Sequence, residues 1–206
     1  SDDFFAKCDR MLSDKDPIFI DEKYDDHGKW MDGWESRRKR VEGNDWAVIG
    51  LGGKCSIEDA IIDTSHFTGN YPPAASLDFS CKHSYEQGSM DWQTLLEKQV
   101  LKGDYVNDFK LVKNENVSFV RLNIYPDGGV ARLRLFGDLI PFSQDLSKDI
   151  ELSALKNGGK IIGYNNAHYG NVNALLSEGR GETMGDGWET RRRRVPGHDF
   201  IIIELG

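Results

Sequence analysis

Two segments of almost the same nine residues are the clearest candidates for ligand binding or catalysis in this sequence. "DGWESRRKR" begins at Asp32 and "DGWETRRRR" begins at Asp186, and in each a Trp–Glu pair precedes four clustered cations. The planar guanidinium of arginine binds a carboxylate through two N–H groups, and a nearby glutamate can position such an arginine or transfer a proton. The predicted anion-binding and proton-transfer residues are Trp34, Glu35, Arg37 and Arg38 in the first copy and Trp188, Glu189, Arg191 and Arg192 in the second.

A solvated loop is the competing interpretation of these segments, because exposed ion pairs contribute only about 0–1 kcal/mol each. For a single copy, that interpretation would be favoured. The Trp, Glu and Arg positions are unchanged in both copies, and this retention favours a functional role.

The segment "DTSHFTGNYPP" at residues 63–73 is the second candidate site. His66 is a candidate general acid or base because an ordinary histidine titrates near pH 6.5. Asp63 is close enough in sequence to orient His66, and Asn70 can donate an amide N–H. The competing interpretation is a strand end followed by a polar turn that His66 caps.

The segment "YPDGGVARLR" is a third, weaker candidate, centred on Asp127. Its "PDGG" sequence is typical of a tight turn between two strands, and we expect a hairpin there. Asp127 then lies at the tip of a β-sandwich, where such folds place many binding residues.

Composition and charge exclude several classes of function. The net charge of −8 over 206 residues favours neither nucleic acid nor a membrane surface as partner, so the local arginine clusters indicate a small anion. The three cysteines form no disulfide pattern, which favours an intracellular protein, cytoplasmic or peroxisomal. The five histidines lack metal-ligand spacing, and no phosphate-binding loop is present, so no metal or cofactor is expected.

An internal repeat organises the chain. Residues 32–52 and 186–206 align without a gap at an offset of 186 − 32 = 154, and 13 of the 21 positions are identical. A weaker match joins "FFAKCDRMLS" from Phe4 to "HYGNVNALLS" from His168, at an offset of 168 − 4 = 164, so the first copy has ten extra residues between the two matches. We therefore predict a first repeat at residues 1–140, a connection at 141–159 and the start of a second repeat at 160–206.

The secondary structure is predicted to be mainly β. "VSFVRLNIY" alternates Val120, Leu122 and Ile124 with polar residues, and "VARLRLFG" alternates in the same way. "DWAVIGLG", "AIIDTSHF" and "AASLDFSCK" are three further strand candidates, whereas residues 91–101 fit either a strand or a helix. Short segments separated by Gly, Pro and Asn turns indicate an all-β fold, a jelly-roll β-sandwich.

Taken together, "MGDGWETRRRRVPGHDFIIIELG", "IIDTSHFTGNYPP" and "LNIYPDGGVARLRLFG" resemble the allantoicase family over essentially the whole chain. The resemblance implies two galactose-binding-like jelly-roll repeats, of which this sequence contains one nearly complete copy and the start of another. It also implies hydrolysis of allantoate to ureidoglycolate and urea in purine degradation, and a homo-oligomer.

The residues allow a mechanism for that reaction. An arginine pair, Arg37 with Arg38 or Arg191 with Arg192, would bind the substrate carboxylate, and Asn70 would bind a ureido carbonyl. Among His66, Glu35 and Asp63, one group would protonate the departing nitrogen, and another would remove a proton from the retained ureido group or from water.

Two other classes of function stay open from the sequence. A non-catalytic sandwich module would bind a carbohydrate or a small anion, with Trp34 or Trp188 stacked on a sugar ring. A catalytically inactive homologue, kept for assembly, is the other possibility.

Overall fold

The protein is an all-β sandwich, as the sequence predicts. The computed structural model describes residues 1–140, 149–169, 171–177, 179–181, 184–192, 194 and 196–206. In chain order the strands are β1 (Tyr24–Asp25), β2 (Gly28–Lys29), β3 (Trp34–Glu35), β4 (Asp45–Asp63), β5 (Ala74–Ser80), β6 (Gln93–Val100), β7 (Val106–Lys110), β8 (Val117–Tyr125), β9 (Gly129–Val130), β10 (Arg132–Leu139), β11 (Lys160–Tyr164) and β12 (Ile201–Glu204).

The chain divides into two compact units. The first comprises Ser1–Leu51 and Cys55–Asp138, and the second comprises Gly52–Lys54 and Leu139–Gly206. Residues 141–148 of the predicted connection lie outside the described residues.

A six-stranded sheet forms the main part of the first unit, in the order β10-β4-β8-β5-β6, with β7 also paired to β4. The alternation in β8 is real, because Val120, Leu122 and Ile124 are fully buried in the core. Burial of these three side chains removes apolar surface from water and so fixes which face of β8 points inward.

Strand β4 is longer than the sequence predicts. "DWAVIGLG" and the start of "AIIDTSHF" belong to one strand of 19 residues that ends at Asp63. Its N-terminal part pairs with β8 and its last five residues pair with β7. The ambiguous segment at residues 91–101 is strand β6, paired with β5.

The predicted hairpin between β8 and β10 is wrong, because β4 lies between these two strands. The "PDGG" segment does not close a tight turn: Gly129–Val130 leaves the main sheet and pairs with Trp34–Glu35. The backbone of Gly128 has φ +138°, and a Cβ there would lie 2.6 Å from the Pro72 nitrogen. The conformation of this segment is therefore set by close contact with loops that are distant in sequence.

The second unit repeats the beginning of the first. A 3₁₀ helix at Val172–Leu176 corresponds to the 3₁₀ helix at Cys8–Leu12, at the offset 172 − 8 = 164 seen in the sequence. Strands β11 and β12 form an antiparallel pair. The weaker of the two sequence matches thus reflects a shared local structure.

Candidate functional site

The short pair β3–β9 brings the first arginine motif to the "PDGG" segment. Glu35 exchanges backbone hydrogen bonds with Ala6, and Ser36 donates its backbone N–H to the Gly128 carbonyl at 3.1 Å. The approach is close enough to require a glycine, since a Cβ on Gly33 would lie 2.4 Å from the Val130 carbonyl oxygen. The Asp-Gly-Trp-Glu sequence thus places Glu35 at a fixed position opposite Gly129.

A cavity of about 440 Å³ opens at this junction. It combines three of the predicted segments, the arginine motif, "HFTGNYPP" and "YPDGG". The lining residues are Phe5, Glu35, Ser36, Arg38, Lys39, Gly69, Asn70, Tyr71, Pro73, Pro126, Asp127 and Gly128.

Glu35 is half-buried and hydrogen-bonded in this cavity. The Asn70 side-chain amide donates to Glu35 Oε1 at 2.7 Å. Burial raises the pKa of the Glu35 carboxyl and the charge of Asp25 adds to this, while the Asn70 hydrogen bond acts in the opposite direction. The pKa of Glu35 is raised overall, which is what a proton donor near neutral pH requires.

Asp127 holds the backbone of the cationic run. Its Oδ2 accepts the Lys39 backbone N–H at 2.7 Å, while Lys39 Nζ pairs with the buried Asp45 at 2.8 Å. Arg38 also lines the cavity, is exposed, and has no carboxylate within ion-pairing distance in the described part of the chain. It is therefore the cation best placed to meet an anionic ligand in this cavity.

Arg37 is not among the residues that line the cavity. Its Nε and NH2 groups donate to Asp2 Oδ2 at 2.9 and 2.7 Å, and its guanidinium packs 5.0 Å from the centre of the Phe4 ring. The sequence suggested Arg37 and Arg38 as a pair, but of the two only Arg38 lines the cavity.

The structure places His66 and Asp63 outside the set of cavity-lining residues. His66 Nε2 lies 3.2 Å from the Pro17 carbonyl oxygen, and its ring packs against Phe19. Asp63 is buried and accepts the Ser65 backbone N–H at 2.8 Å. In these positions His66 anchors a loop and Asp63 caps the end of β4.

Both tryptophans of the two motifs donate their indole N–H to a backbone carbonyl. Trp34 is 0% exposed and belongs to the hydrophobic core, so it has no face on which a sugar ring could stack. Trp188 is half-buried and donates its indole N–H to the Asn166 carbonyl at 2.6 Å. Glu189, Arg191 and Arg192, from the second motif, are exposed.

Sequence reasoning missed Arg132, which the alternation of β10 placed on the polar face. It is 1% exposed, and its guanidinium donates to the carbonyl oxygens of Lys15, Asp16, Asp32 and Ala131 and, at 2.6 Å, to Asp32 Oδ2. The interaction fixes the residue that begins the first arginine motif. No local signal could have revealed this, because most of the acceptors are about 100 residues or more away in sequence.

Two further features are absent from the described residues. They contain no cluster of three or more His, Cys, Asp or Glu side chains arranged to hold a metal ion. They also contain no helix that is long and apolar enough to cross a membrane.

The fold and the cavity define a class: a β-sandwich protein with a duplicated arginine motif and a polar cavity suited to a small anion. Comparison with known sequences then gives the family. The family model described as "Allantoicase repeat" matches residues 1–140 and 150–206. The chain therefore belongs to the allantoicase family.

Individual relatives agree with this assignment. The chain is 49% identical to a probable allantoicase of Acinetobacter baumannii strain ACICU and 46% identical to one of Photobacterium profundum, in each case over 100% of this chain. It spans 61% and 63% of the length of those two relatives. A solved structure of allantoicase from Saccharomyces cerevisiae has a TM-score of 0.60 and 33% identity, and the match covers 100% of this chain and 63% of that one.

Proposed function

We propose that the full-length product of this gene hydrolyses allantoate to ureidoglycolate and urea. Its relatives are named as probable allantoicases, but the chain spans only about 61% of the first of them, so the activity of the whole protein is an inference. The observation that carries it is the cavity in which Glu35, Arg38, Asn70 and Asp127 meet.

The reaction breaks a bond between nitrogen and an sp³ carbon that also carries the substrate carboxylate. Water supplies the new C–O bond, and the departing ureido nitrogen gains a proton to leave as urea. No carbonyl carbon is attacked, so neither a serine nucleophile nor an oxyanion hole is required. The protein must hold the carboxylate, orient both ureido groups and move protons.

The cavity residues divide these tasks. Arg38 binds the carboxylate, since a guanidinium forms short, charge-assisted hydrogen bonds with carboxylate oxygens. The amide of Asn70 already donates to Glu35 Oε1, and its oxygen can accept a ureido N–H. Positioning of this kind removes much of the entropic part of the barrier.

Glu35 is the proton donor in this proposal. Its raised pKa favours the protonated form relative to an ordinary glutamate, and its Oε2 can pass that proton to the departing nitrogen while Asn70 holds Oε1. Asp127 is the other carboxylate lining the cavity within the described residues, and it serves as the base that takes a proton from water or from the retained ureido group. His66 and Asp63, which the sequence offered for these steps, keep structural roles.

The wider organisation is also proposed from the family resemblance. The repeats occupy residues 1–140 and 160–206, joined by 141–159, and the full-length protein forms a homo-oligomer inside the cell. The carbohydrate-binding alternative loses one of its two candidate stacking residues, because Trp34 is wholly buried, whereas Trp188 is half-buried.

The test is release of urea from allantoate by the full-length protein, compared with its Glu35→Gln and Glu97→Gln variants. Glu97 is an exposed strand residue outside the cavity and provides the matched control. We expect Glu35→Gln to lower kcat by about 10²-fold or more, in keeping with the usual contribution of a general acid, and Glu97→Gln to leave it unchanged. Absence of urea release by a folded wild-type protein would refute the proposed function.

A further inference from the structure

The two copies of the arginine motif are held by equivalent residues upstream. Trp34 donates its indole N–H to the Asp2 carbonyl at 2.8 Å, and Trp188 donates to the Asn166 carbonyl at 2.6 Å. The offset from Asp2 to Asn166 is 164, the same as that between the two 3₁₀ helices. Asp2 and Asn166 therefore occupy the same position in the two repeats.

The preceding residues confirm this equivalence. Ser1 Oγ accepts the Trp46 backbone N–H at 2.8 Å, and Asn165 Oδ1 accepts the Phe200 backbone N–H at 2.9 Å. The neighbouring backbone bonds, from Ser1 N to the Trp46 carbonyl and from Asn165 N to the Phe200 carbonyl, also match. The environment around residues 2 and 166 is thus shared by the two units.

The side chains of Asp2 and Asn166 both accept a backbone N–H of the arginine motif, but only Asp2 also binds an arginine side chain. Asp2 Oδ1 accepts the Arg37 backbone N–H at 3.0 Å, and Asn166 Oδ1 accepts the Arg191 backbone N–H at 3.0 Å. Asp2 has a second side-chain oxygen where Asn166 has a nitrogen, and this oxygen binds the Arg37 guanidinium. An asparagine is sufficient for the backbone geometry, so the charge of Asp2 has an additional effect.

That effect is neutralisation of Arg37. Burial acts to raise the pKa of Asp2, but the hydrogen bonds from Arg37 outweigh it and the pKa lies below its ordinary value. The Asn166 amide cannot accept a second N–H at its nitrogen. Over the part of the chain that the structure describes, no carboxylate lies within ion-pairing distance of Arg191, which is exposed.

We propose that the residue at the position shared by Asp2 and Asn166 determines which copy of the motif offers two arginines to a carboxylate. In the first copy Asp2 withdraws Arg37 and leaves Arg38 alone. In the second copy Asn166 leaves Arg191 without that ion pair beside Arg192, and the two together bind the carboxylate of a substrate molecule held by the second repeat, whereas Arg38 alone binds it in the first. The inference rests on the proposed function for the identity of that carboxylate.

The sequence offers a reciprocal pair of substitutions as the test. Asn166→Asp recreates the arrangement that already exists around Asp2, so the fold should tolerate it, and the new carboxylate should bind Arg191. We expect the KM for allantoate to rise by about tenfold or more, with little change in kcat, because a charge-assisted contact to the substrate is lost. Asp2→Asn is the matched control: it releases Arg37 from its ion pair, so KM should not rise.

Nitrogen NMR of the arginine Nε–H groups gives a readout that does not depend on turnover. In the wild-type protein, the Arg191 signal should shift on titration with allantoate, while the Arg37 signal should exchange slowly with solvent and stay in place. In Asn166→Asp the Arg191 signal should become slowly exchanging and insensitive to allantoate. A variant that merely disturbed the fold would move many signals together.

The outcomes separate this inference from the proposed function. Urea release with an unchanged KM in Asn166→Asp, or an equal rise of KM in Asp2→Asn, would overturn the inference and leave the function standing. A titration shift at Arg191 in a wild-type protein that releases no urea would support the inference and refute the function.

Discussion

Glu35 is the residue on which the proposed chemistry of the cavity depends. Its carboxyl is half-buried, it accepts a hydrogen bond from Asn70, and its pKa is raised. A glutamate with a raised pKa is more easily protonated in the folded protein. Any stability linked to its proton is therefore present at low pH and lost as pH rises through the folded pKa. The same protonation should set the alkaline limit of a reaction that uses Glu35 as an acid.

Substitutions of two residues that act on the pKa of Glu35 should move the alkaline limit of kcat in opposite directions. Asn70→Leu removes a hydrogen bond that lowers the pKa of Glu35, so the alkaline limb of kcat should shift to higher pH. Asp25→Asn removes a charge that raises it, so the limb should shift to lower pH. The measurement is kcat against pH for the three proteins. Shifts of the same sign in both variants would contradict the role of Glu35.

His66 provides the contrasting case. It has a positive φ of 70°, its ring nitrogen lies 3.2 Å from the Pro17 carbonyl oxygen, and it is absent from the cavity lining. We expect His66→Asn, which tolerates that backbone conformation, to lower the free energy of unfolding by about 1 kcal/mol and to keep kcat within about tenfold of wild type. Urea denaturation and the urea-release assay measure the two effects. A loss of 10²-fold or more in a folded variant would return His66 to the chemistry.

Among the elements, the start of β10 has an unexpected role. Arg132 is buried in a network that joins this strand to the loop at residues 13–18 and to Asp32, which begins the first arginine motif. Asp32 in turn accepts the Ile18 backbone N–H through the same Oδ2. The network sets the entry of the chain into β3, and β3 carries Glu35.

Removal of Arg132 should therefore be costly. Arg132→Met removes five hydrogen bonds, among them the ion pair with Asp32 and the bond to the buried Ala131 carbonyl, and we expect a loss of about 3–5 kcal/mol in the free energy of unfolding. Arg134→Met is the control two residues along the same strand. Arg134 is only half-buried and also donates to Lys15 O, so its loss should cost about 1 kcal/mol. Equal costs in chemical denaturation would show that the Asp32 network is not special.

On the scale of the whole molecule, the chain is built by repetition. The second unit reproduces the 3₁₀ helix, the indole hydrogen bond and the backbone bonds around the arginine motif of the first. Repetition explains why the motif occurs twice, and the exchange of Asp2 for Asn166 shows that the copies have diverged in charge.

A comparison of the 206-residue chain with the full-length product of its gene tests how much of the protein the reaction needs. The cavity of the first unit is lined wholly by residues of that unit, so we expect measurable urea release by the chain alone. If the remainder of the second repeat completes a site around Arg191 and Arg192, the full-length protein should have the lower KM. Activity confined to the full-length protein would mean that the cavity of the first unit is insufficient.

The sequence by itself determined the repeat, most of the strands, the all-β class, the family and the segments that meet at the cavity. Alternation of side chains shows which face of a strand is buried, and the turn residues mark where strands end. The sequence also supplied Glu35, Arg38, Asn70 and Asp127 as candidates, because their chemical types alone suggest binding and proton transfer.

The tertiary structure decided the rest. Alternation has a period of two in any sheet and says nothing about the neighbouring strand, so the position of β4 between β8 and β10 was hidden. The state of each charge depends on partners distant in sequence: Asp2 lies 35 residues from Arg37, and Asp32 lies 100 residues from Arg132. Folding brings those partners together, and it thereby determines which arginine is neutralised, which is buried and which remains available to an anion.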